Sequence, residues 1–212
     1  EKFSKLPEWK LEKLTSVASI GQGGTPSRSK SDYWNGDIPW LSSGEMRNNI
    51  ITNSKEKITK LGLEKSSTKL CPIGTVLIAM TGQGLTRGRT SLLQIEACAN
   101  QSCAHIIIQD QNELLPEFLW FYLQSQYWKI RSVHHGSGQP GINTSIIKSW
   151  VIPLPPLPIQ KQIVQNIKSA EDKFQSQKVQ FENIKQNYEK TINHINHMQS
   201  SILDAAFSGK LV

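Results

Sequence analysis

The sequence predicts an α+β protein: a globular, mostly-β domain over residues 1–156, followed by one long α-helix over residues 157–212. Two observations predict this. Up to residue 156 the chain alternates short β-branched and apolar runs with Gly, Pro and Asn-Gly turn signals. From Ile159 to Ser208 there is neither Gly nor Pro, and apolar residues recur at steps of three and four.

In chain order, the candidate strands are Leu14–Ile20, Ile38–Ser42, Gly74–Met80, Thr90–Ile95, Ala104–Gln109 and Trp150–Leu154. Gly23-Gly24, Asn35-Gly36 and Pro72 are read as the breaks between them. One helix is expected inside the domain, opened by Pro116 at its first-turn position and running from Glu117 to about Ser132. Residues 151–158 read Val-Ile-Pro-Leu-Pro-Pro-Leu-Pro, too proline-rich for a helix or a central strand, so a stiff extended connector is expected there. The final helix presents a seam of Ile163, Ile167, Ala170, Phe174, Phe181, Ile184, Tyr188, Ile195, Met198 and Ile202, interrupted by polar Gln177 and Thr191. This is a heptad repeat. No turn signal lies between Gln186 and Ser200, which favours one straight helix over a hairpin, and Gly209 supplies a stop. So long a helix with an apolar seam needs another helix, and an antiparallel coiled coil is expected. Ile163, Ile167, Phe174, Phe181, Ile184, Tyr188, Ile195, Met198 and Ile202 are then the dimerisation residues.

Composition narrows the function. Apolar residues make up 37% of the chain, enough to bury a core. The formal net charge is +7, which favours a polyanionic partner. Apolar runs such as Val76–Met80 are too short to cross a bilayer, and no basic start leads into an apolar stretch as a secretory leader would, so no membrane partner is expected. The three cysteines, Cys71, Cys98 and Cys103, fit a reducing cytoplasm and read as buried apolar residues.

Catalytic patterns are missing. Glu8-Trp9-Lys10 resembles the end of a nuclease motif but has no room upstream for its metal-binding Asp. Gly21-Gln-Gly23-Gly24 and Gly82-Gln-Gly84 are not nucleotide-binding loops, and no amino-methyltransferase tetrad or nucleophile elbow occurs. His134-His135 and the pair His194 and His197 lack carboxylate company for a metal. No catalytic residue, metal ligand or cofactor is therefore assigned to this chain.

Nucleic acid is the better reading. Residues 118–170 contain no Asp or Glu but hold Lys129, Arg131, Lys148, Lys161 and Lys168. Three segments combine glycines with groups suited to bases and phosphates. They are Gly24–Lys30 with Arg28 and Lys30, Thr81–Thr90 with Gln83, Thr86, Arg87 and Arg89, and His134–Gly141 with His134, Ser137 and Gln139. These residues, with Lys129, Arg131 and Lys148, form the candidate DNA-binding set. The Thr81–Thr90 loop is expected to be flexible, with Arg87 or Arg89 meeting base edges and Lys129, Arg131 or Lys148 meeting phosphate. The alternative is a coiled-coil adaptor whose globular domain binds protein.

Together the motifs resemble the specificity (S) subunit of type I restriction–modification enzymes, in particular one half of it. The resemblance is carried by Leu6-Pro-Glu-Trp9, Gly24-Thr-Pro-Ser27 and Tyr33-Trp-Asn-Gly-Asp-Ile-Pro-Trp40. It continues through Gly74-Thr-Val-Leu77, Asn100-Gln101, Gly138-Gln139, Ile152-Pro-Leu-Pro-Pro-Leu157 and Ile202-Leu-Asp-Ala-Ala-Phe-Ser-Gly-Lys-Leu211. One departure is visible: where such subunits carry Glu-Gln after Pro-Pro-Leu, Ile159-Gln160 stands here, which puts a helix-cap contact in question. The resemblance implies a target recognition domain over 1–156 that binds double-stranded DNA and a spacer helix over 157–212. It implies a non-catalytic role beside a modification (methyltransferase) subunit, which takes S-adenosylmethionine, and a restriction subunit, which takes Mg2+ and ATP. One recognition domain with one helix suggests a half subunit. As a homodimer with antiparallel helices, it would read an interrupted target.

Overall fold

Three sheets, with antiparallel and parallel pairings, organise the first part of the chain in a computed structural model that describes residues 9–82, 84–132 and 141–208. The strands are β1 (Lys10–Lys13), β2 (Ala18–Gln22), β3 (Trp34–Leu41), β4 (Asn49–Ile51), β5 (Glu56–Ile58), β6 (Val76–Ala79), β7 (Thr90–Leu93), β8 (Cys98–Ala99), β9 (Cys103–Ile108) and β10 (Val151–Leu154). The helices are α1 (Leu14–Val17), α2 (Lys60–Glu64), α3 (Pro116–Ser125), α4 (Tyr127–Ser132), α5 (Thr144–Lys148) and α6 (Leu157–Phe207). A five-stranded sheet runs β2-β9-β6-β7-β4, a three-stranded sheet runs β5-β3-β8, and β1 pairs with β10. The chain divides into two compact units, Glu1–Val164 and Gln165–Val212.

The core of the first unit lies where the two larger sheets meet. Every residue of β6 and β7 is buried, so both read as continuous apolar or small runs rather than alternating ones. Leu41, Met46, Ile51, Leu77, Ala79, Leu93 and Cys103 pack into one cluster. Trp40, Ile58 and Cys98 form another, with Trp34 and Ile38 against it. α3 packs on β6 and β7 and buries Phe118, Leu119, Trp120, Phe121 and Leu123.

Most expected strands are present within one or two residues at their ends. Several expectations are corrected. Leu14–Val17 is a helical turn and not the start of a strand: Leu14 and Val17, three apart, share its buried side, and Leu14 N–H donates to Trp150 O at 2.8 Å. Asn35-Gly36 does not separate strands. It is an irregularity inside β3, where Asn35 adopts φ 61° and the register against β5 shifts between Trp34 and Ile38. The helix expected to run unbroken to Ser132 is interrupted at Gln126 (φ −87°, ψ 3°), whose N–H turns back to the last carbonyls of α3. Residues 151–158 are not simply an extended connector. Val151–Leu154 pair with β1, which the sequence did not suggest, and Pro153 is tolerated because this is a two-stranded edge. α6 then starts at Leu157, so Leu157 and Pro158 belong to the helix and not to an extended connector, with Pro158 in the first turn, where its missing N–H costs nothing.

Gln160 ties the start of α6 to α3. It is fully buried, and its amide is saturated. Nε2 donates to Glu113 O at 2.8 Å and Pro155 O at 2.9 Å, while Oε1 accepts from Leu115 N–H, the N-cap of α3, at 2.8 Å. The helix-cap contact questioned above is thus made by the Gln alone.

In the second unit α6 continues as a helix to Phe207, and Phe174, Phe181, Ile184, Tyr188, Ile195, Met198 and Ile202 are exposed. Ile163 and Ile167 are half-buried. Gly209 lies outside the described residues. Among the described residues no helix is long and apolar enough to cross a membrane.

Replacing Gln160 with Leu removes the partner of the Leu115 N–H and of the Glu113 and Pro155 carbonyls, which are partly to fully buried contacts, and is expected to cost ~1–3 kcal/mol of stability in urea melts. A change below ~0.5 kcal/mol would show that α6 and α3 do not depend on this amide.

Candidate nucleic-acid interface

Strand register gathers the candidate segments. β2 ends at Gln22 beside Ala104, and β9 begins at Cys103 beside Ala79, the last residue of β6. β7 begins at Thr90 opposite Ile78, and β4 begins at Asn49 in parallel beside Ser91. Residues 23–30, 47–48, 80–82, 84–89 and 100–102 therefore leave the large sheet at the same end.

Hydrogen bonds fasten these segments to one another. Gly23 N–H donates to Cys103 O at 2.9 Å, Met80 N–H to Ser102 O at 2.8 Å, and Gln22 Nε2 to Gln101 O at 2.7 Å. The Thr25 hydroxyl bonds to the Gln101 side chain. Thr90 N–H donates to Asn48 Oδ1 at 3.0 Å, and Ile142 N–H to Met80 O at 3.1 Å. Gly23 is required here: a Cβ on it would lie 2.2 Å from the carbonyl oxygens of Ala99 and Asn100.

The β6–β7 turn is not a free loop. Gly84 and Gly88 take φ of 68° and 84°, Gly88 N–H donates to Ala79 O at 2.8 Å, and Arg89 N–H donates to Thr86 O at 3.0 Å. The turn rests on α4. Arg131 donates from Nη1 to Arg87 O at 2.8 Å and from Nη2 to Gly84 O at 2.6 Å. In return, Arg87 Nη2 donates to Arg131 O at 3.1 Å. Tyr127 Oη donates to Leu85 O at 2.7 Å, and the Arg131 guanidinium sits 5.4 Å from the Tyr127 ring centroid.

The predicted residues fall into distinct places. Thr86, Arg87 and Arg89 lie on this turn, half-buried. Arg28 and Lys30 are exposed on the segment that starts at Gly23. Arg28 makes a bidentate pair with Glu56, with Nη2 to Oε2 at 2.9 Å, and stacks 3.7 Å from the Trp34 ring centroid. The Arg28 hydrogen bond holds the Glu56 carboxyl below its usual range. Lys129 is exposed on α4 and borders a groove of about 280 Å3 with Tyr122, Ile130 and Trp150. α5, capped by Asn143 through Ile146 N–H at 2.9 Å, starts beside Met80. It finishes near Trp150, whose carbonyl accepts from Leu14. Lys148, the last residue of α5, immediately precedes Ser149 and Trp150, which line the groove that Lys129 borders. Gln83, His134, Ser137 and Gln139 lie outside the described residues.

The structure adds groups that the sequence did not single out. Arg47 is exposed just before β4, Gln22 and Gln101 flank the root of the Gly23 segment, and Trp128 is 72% exposed on α4 beside Lys129. The pattern that would have found Arg47 is absent, because β4 is only three residues long and takes its strand character from β7.

Beneath this end the chemistry is inert. Burial, with Lys69 adding to it, lowers the His105 pKa to about 4, and its ring fills the space a Cβ on Gly21 would need, 2.3 Å from that position. Burial pushes the thiols of Cys71 and Cys103 up to about 12 and that of Cys98 to about 11. Among the described residues no group of three or more His, Cys, Asp or Glu could hold a metal ion. What the arrangement offers is backbone-anchored turns carrying Arg, Lys, Thr and Gln at one end of a rigid sheet, a chemistry of recognition.

Comparison with known proteins agrees with this. The family model of the type I restriction modification DNA specificity domain matches residues 7–186. The chain is 25% identical over 186 residues to the MjaIX specificity subunit of a type I restriction enzyme from Methanocaldococcus jannaschii, covering 85% of this chain and 42% of that protein. It is 29% identical over 171 residues to the EcoR124I/EcoR124II specificity subunit from Escherichia coli, covering 79% and 40%. The HsdS subunit from Thermoanaerobacter tengcongensis has the same fold, with a TM-score of 0.61 at 20% identity over 81% of this chain and 40% of that one. A chain from a structural study of type I R-M complex assembly and conformational transition gives a TM-score of 0.65 at 20% identity, over 97% and 47%. The chain spans less than half the length of these relatives.

Proposed function

We propose that this chain, which belongs to the type I restriction–modification DNA specificity family, reads one half of an interrupted double-stranded DNA target. In this reading it directs a modification subunit and a restriction subunit to that target and catalyses neither reaction. S-adenosylmethionine, Mg2+ and ATP belong to those partners. The observation that carries the reading is the convergence of the Gly23, Arg47, β6–β7 and Gln101 segments at one sheet end. Family membership does not favour the alternative of a protein-binding adaptor.

Within this reading Arg89 and Thr86 meet base edges, while Lys129, Lys30 and Arg47 meet phosphates. Selection from a random duplex pool tests it. Arg89→Ala should cost ~1–3 kcal/mol on the selected sequence and relax its preference. Lys129→Ala should weaken all sequences alike and reduce the salt slope by about one. If Arg89→Ala leaves both affinity and preference intact, the turn is not the reader.

The partner of α6 in this reading is a second copy of the chain, running antiparallel. A pairing centred between Phe181 and Ile184 sets those two residues against each other. It also sets the polar seam residues against aromatic ones, Gln177 opposite Tyr188 and Thr191 opposite Phe174, which fixes register. Each helix, 51 residues long, would then separate the half-sites as a spacer of roughly 75 Å. Changing Phe181 and Ile184 together to Asp should convert a dimer to monomers in sedimentation. A dimer of undiminished mass after that change would rule out the seam as the interface.

A further inference from the structure

The contacts between the β6–β7 turn and α4 are reciprocal and concentrated. Of the four residues Gly84 to Arg87, three offer their carbonyl oxygens to side chains of α4: Gly84 and Arg87 to Arg131, and Leu85 to Tyr127. Arg131 bridges two carbonyls three residues apart, which its planar fork can do and a single ammonium cannot. Arg87 answers by donating to the carbonyl of Arg131, in the last turn described for α4. The backbones lie close: a Cβ on Gly88 would sit 3.3 Å from both Arg131 Cγ and Ile130 Cγ2. Leu85 is 56% exposed, and Thr86, Arg87 and Arg89 are half-buried. In this arrangement both guanidinium groups bond to backbone carbonyls of the facing segment.

We propose that Arg87 and Arg131 are positioning residues: a mutual lock that fixes the shape of the turn, so that base preference depends on both although the duplex is read by their neighbours. The proposal rests on the DNA reading above. It differs from a phosphate-contact role in a measurable way. A phosphate contact is a matter of charge and survives replacement by Lys, whereas the lock is a matter of geometry and does not.

The test uses Arg131→Lys and Arg87→Lys in the full chain, with a random-sequence duplex pool as the probe. Each variant should reduce enrichment of the wild-type preferred sequence at least ~10-fold, while affinity for the unselected pool and the salt slope stay within ~2-fold of wild type. Tyr127→Phe, which removes a single hydrogen bond, should shift enrichment in the same direction by less. A second arm needs no DNA: hydrogen exchange at the amides of Gly88 and Arg89 should accelerate at least ~10-fold in Arg131→Lys, with the β2–β9 ladder unchanged. Full enrichment by Arg131→Lys would overturn the lock's role even if its turn exchanges faster. So would an Arg131→Ala variant that loses about one unit of salt slope but no preference, because that identifies a phosphate contact. If the wild-type protein itself enriches no sequence, the DNA reading fails and the lock's role with it, an outcome distinct from equal enrichment by wild type and variant.

Discussion

The register of β9 is the constraint on which the loop end of this protein depends. β9 pairs with β2 on one side and β6 on the other, and its first four residues are all buried. Where Cys103 sits decides where β2 releases the Gly23 segment and where β6 releases the turn that follows Ala79. A slip of one residue would exchange the two faces of the strand. It would carry Cys103 out of its core cluster and move His105 off Gly21, the position where its ring fits because there is no Cβ. The glycines at 21 and 23 are thus steric conditions of the register, and the placement of the reading segments follows from them.

Local pattern carried the sequence reading as far as local pattern reaches. β6, β7 and β9 were legible because buried central strands carry near-continuous runs of apolar and small residues, and α6 because a heptad needs no knowledge of its partner. β8 was not: Cys98–Ala99 becomes a strand only through parallel pairing with Trp40 and Leu41, far away in sequence. β1 was hidden for the same reason. Its Lys-Leu-Glu-Lys looks like a solvated segment until β10 lies beside it. Asn35-Gly36 carries a strong turn signal, and the positive φ of Asn35 is real, but the chain uses it to kink one strand rather than to join two.

The candidate site was legible as chemistry and not as wiring. Arg28, Arg87, Arg89 and Arg131 stand out in the sequence as cations near glycines. Whether a guanidinium faces solvent, a carboxylate or a backbone carbonyl is settled by residues dozens of positions away: Glu56 for Arg28, and α4 for Arg87. The acid-free stretch from 118 to 170 looked like one basic surface. The fold distributes it over three helices, with Lys129 and Arg131 on α4, Lys148 on α5, and Lys161 and Lys168 on α6. Gln160 shows the converse. Its neighbour Ile159 departs from the Glu expected from the resemblance, yet Gln160 alone meets three backbone groups, which need one amide and no carboxylate.

The central claim is that double-stranded DNA lies against the sheet end from which residues 23–30, 47–48, 84–89 and 100–102 emerge. Hydrogen-exchange footprinting of the chain, with and without a duplex selected from a random pool, tests this most directly. The account predicts slowed exchange in the Gly84–Arg89 turn, in Tyr127–Ser132, around Arg47 and around Gln101, with no change in β1 and β10. Protection centred on β1, β10 and the Lys148 end of α5, with the β6–β7 turn unaffected, would contradict it.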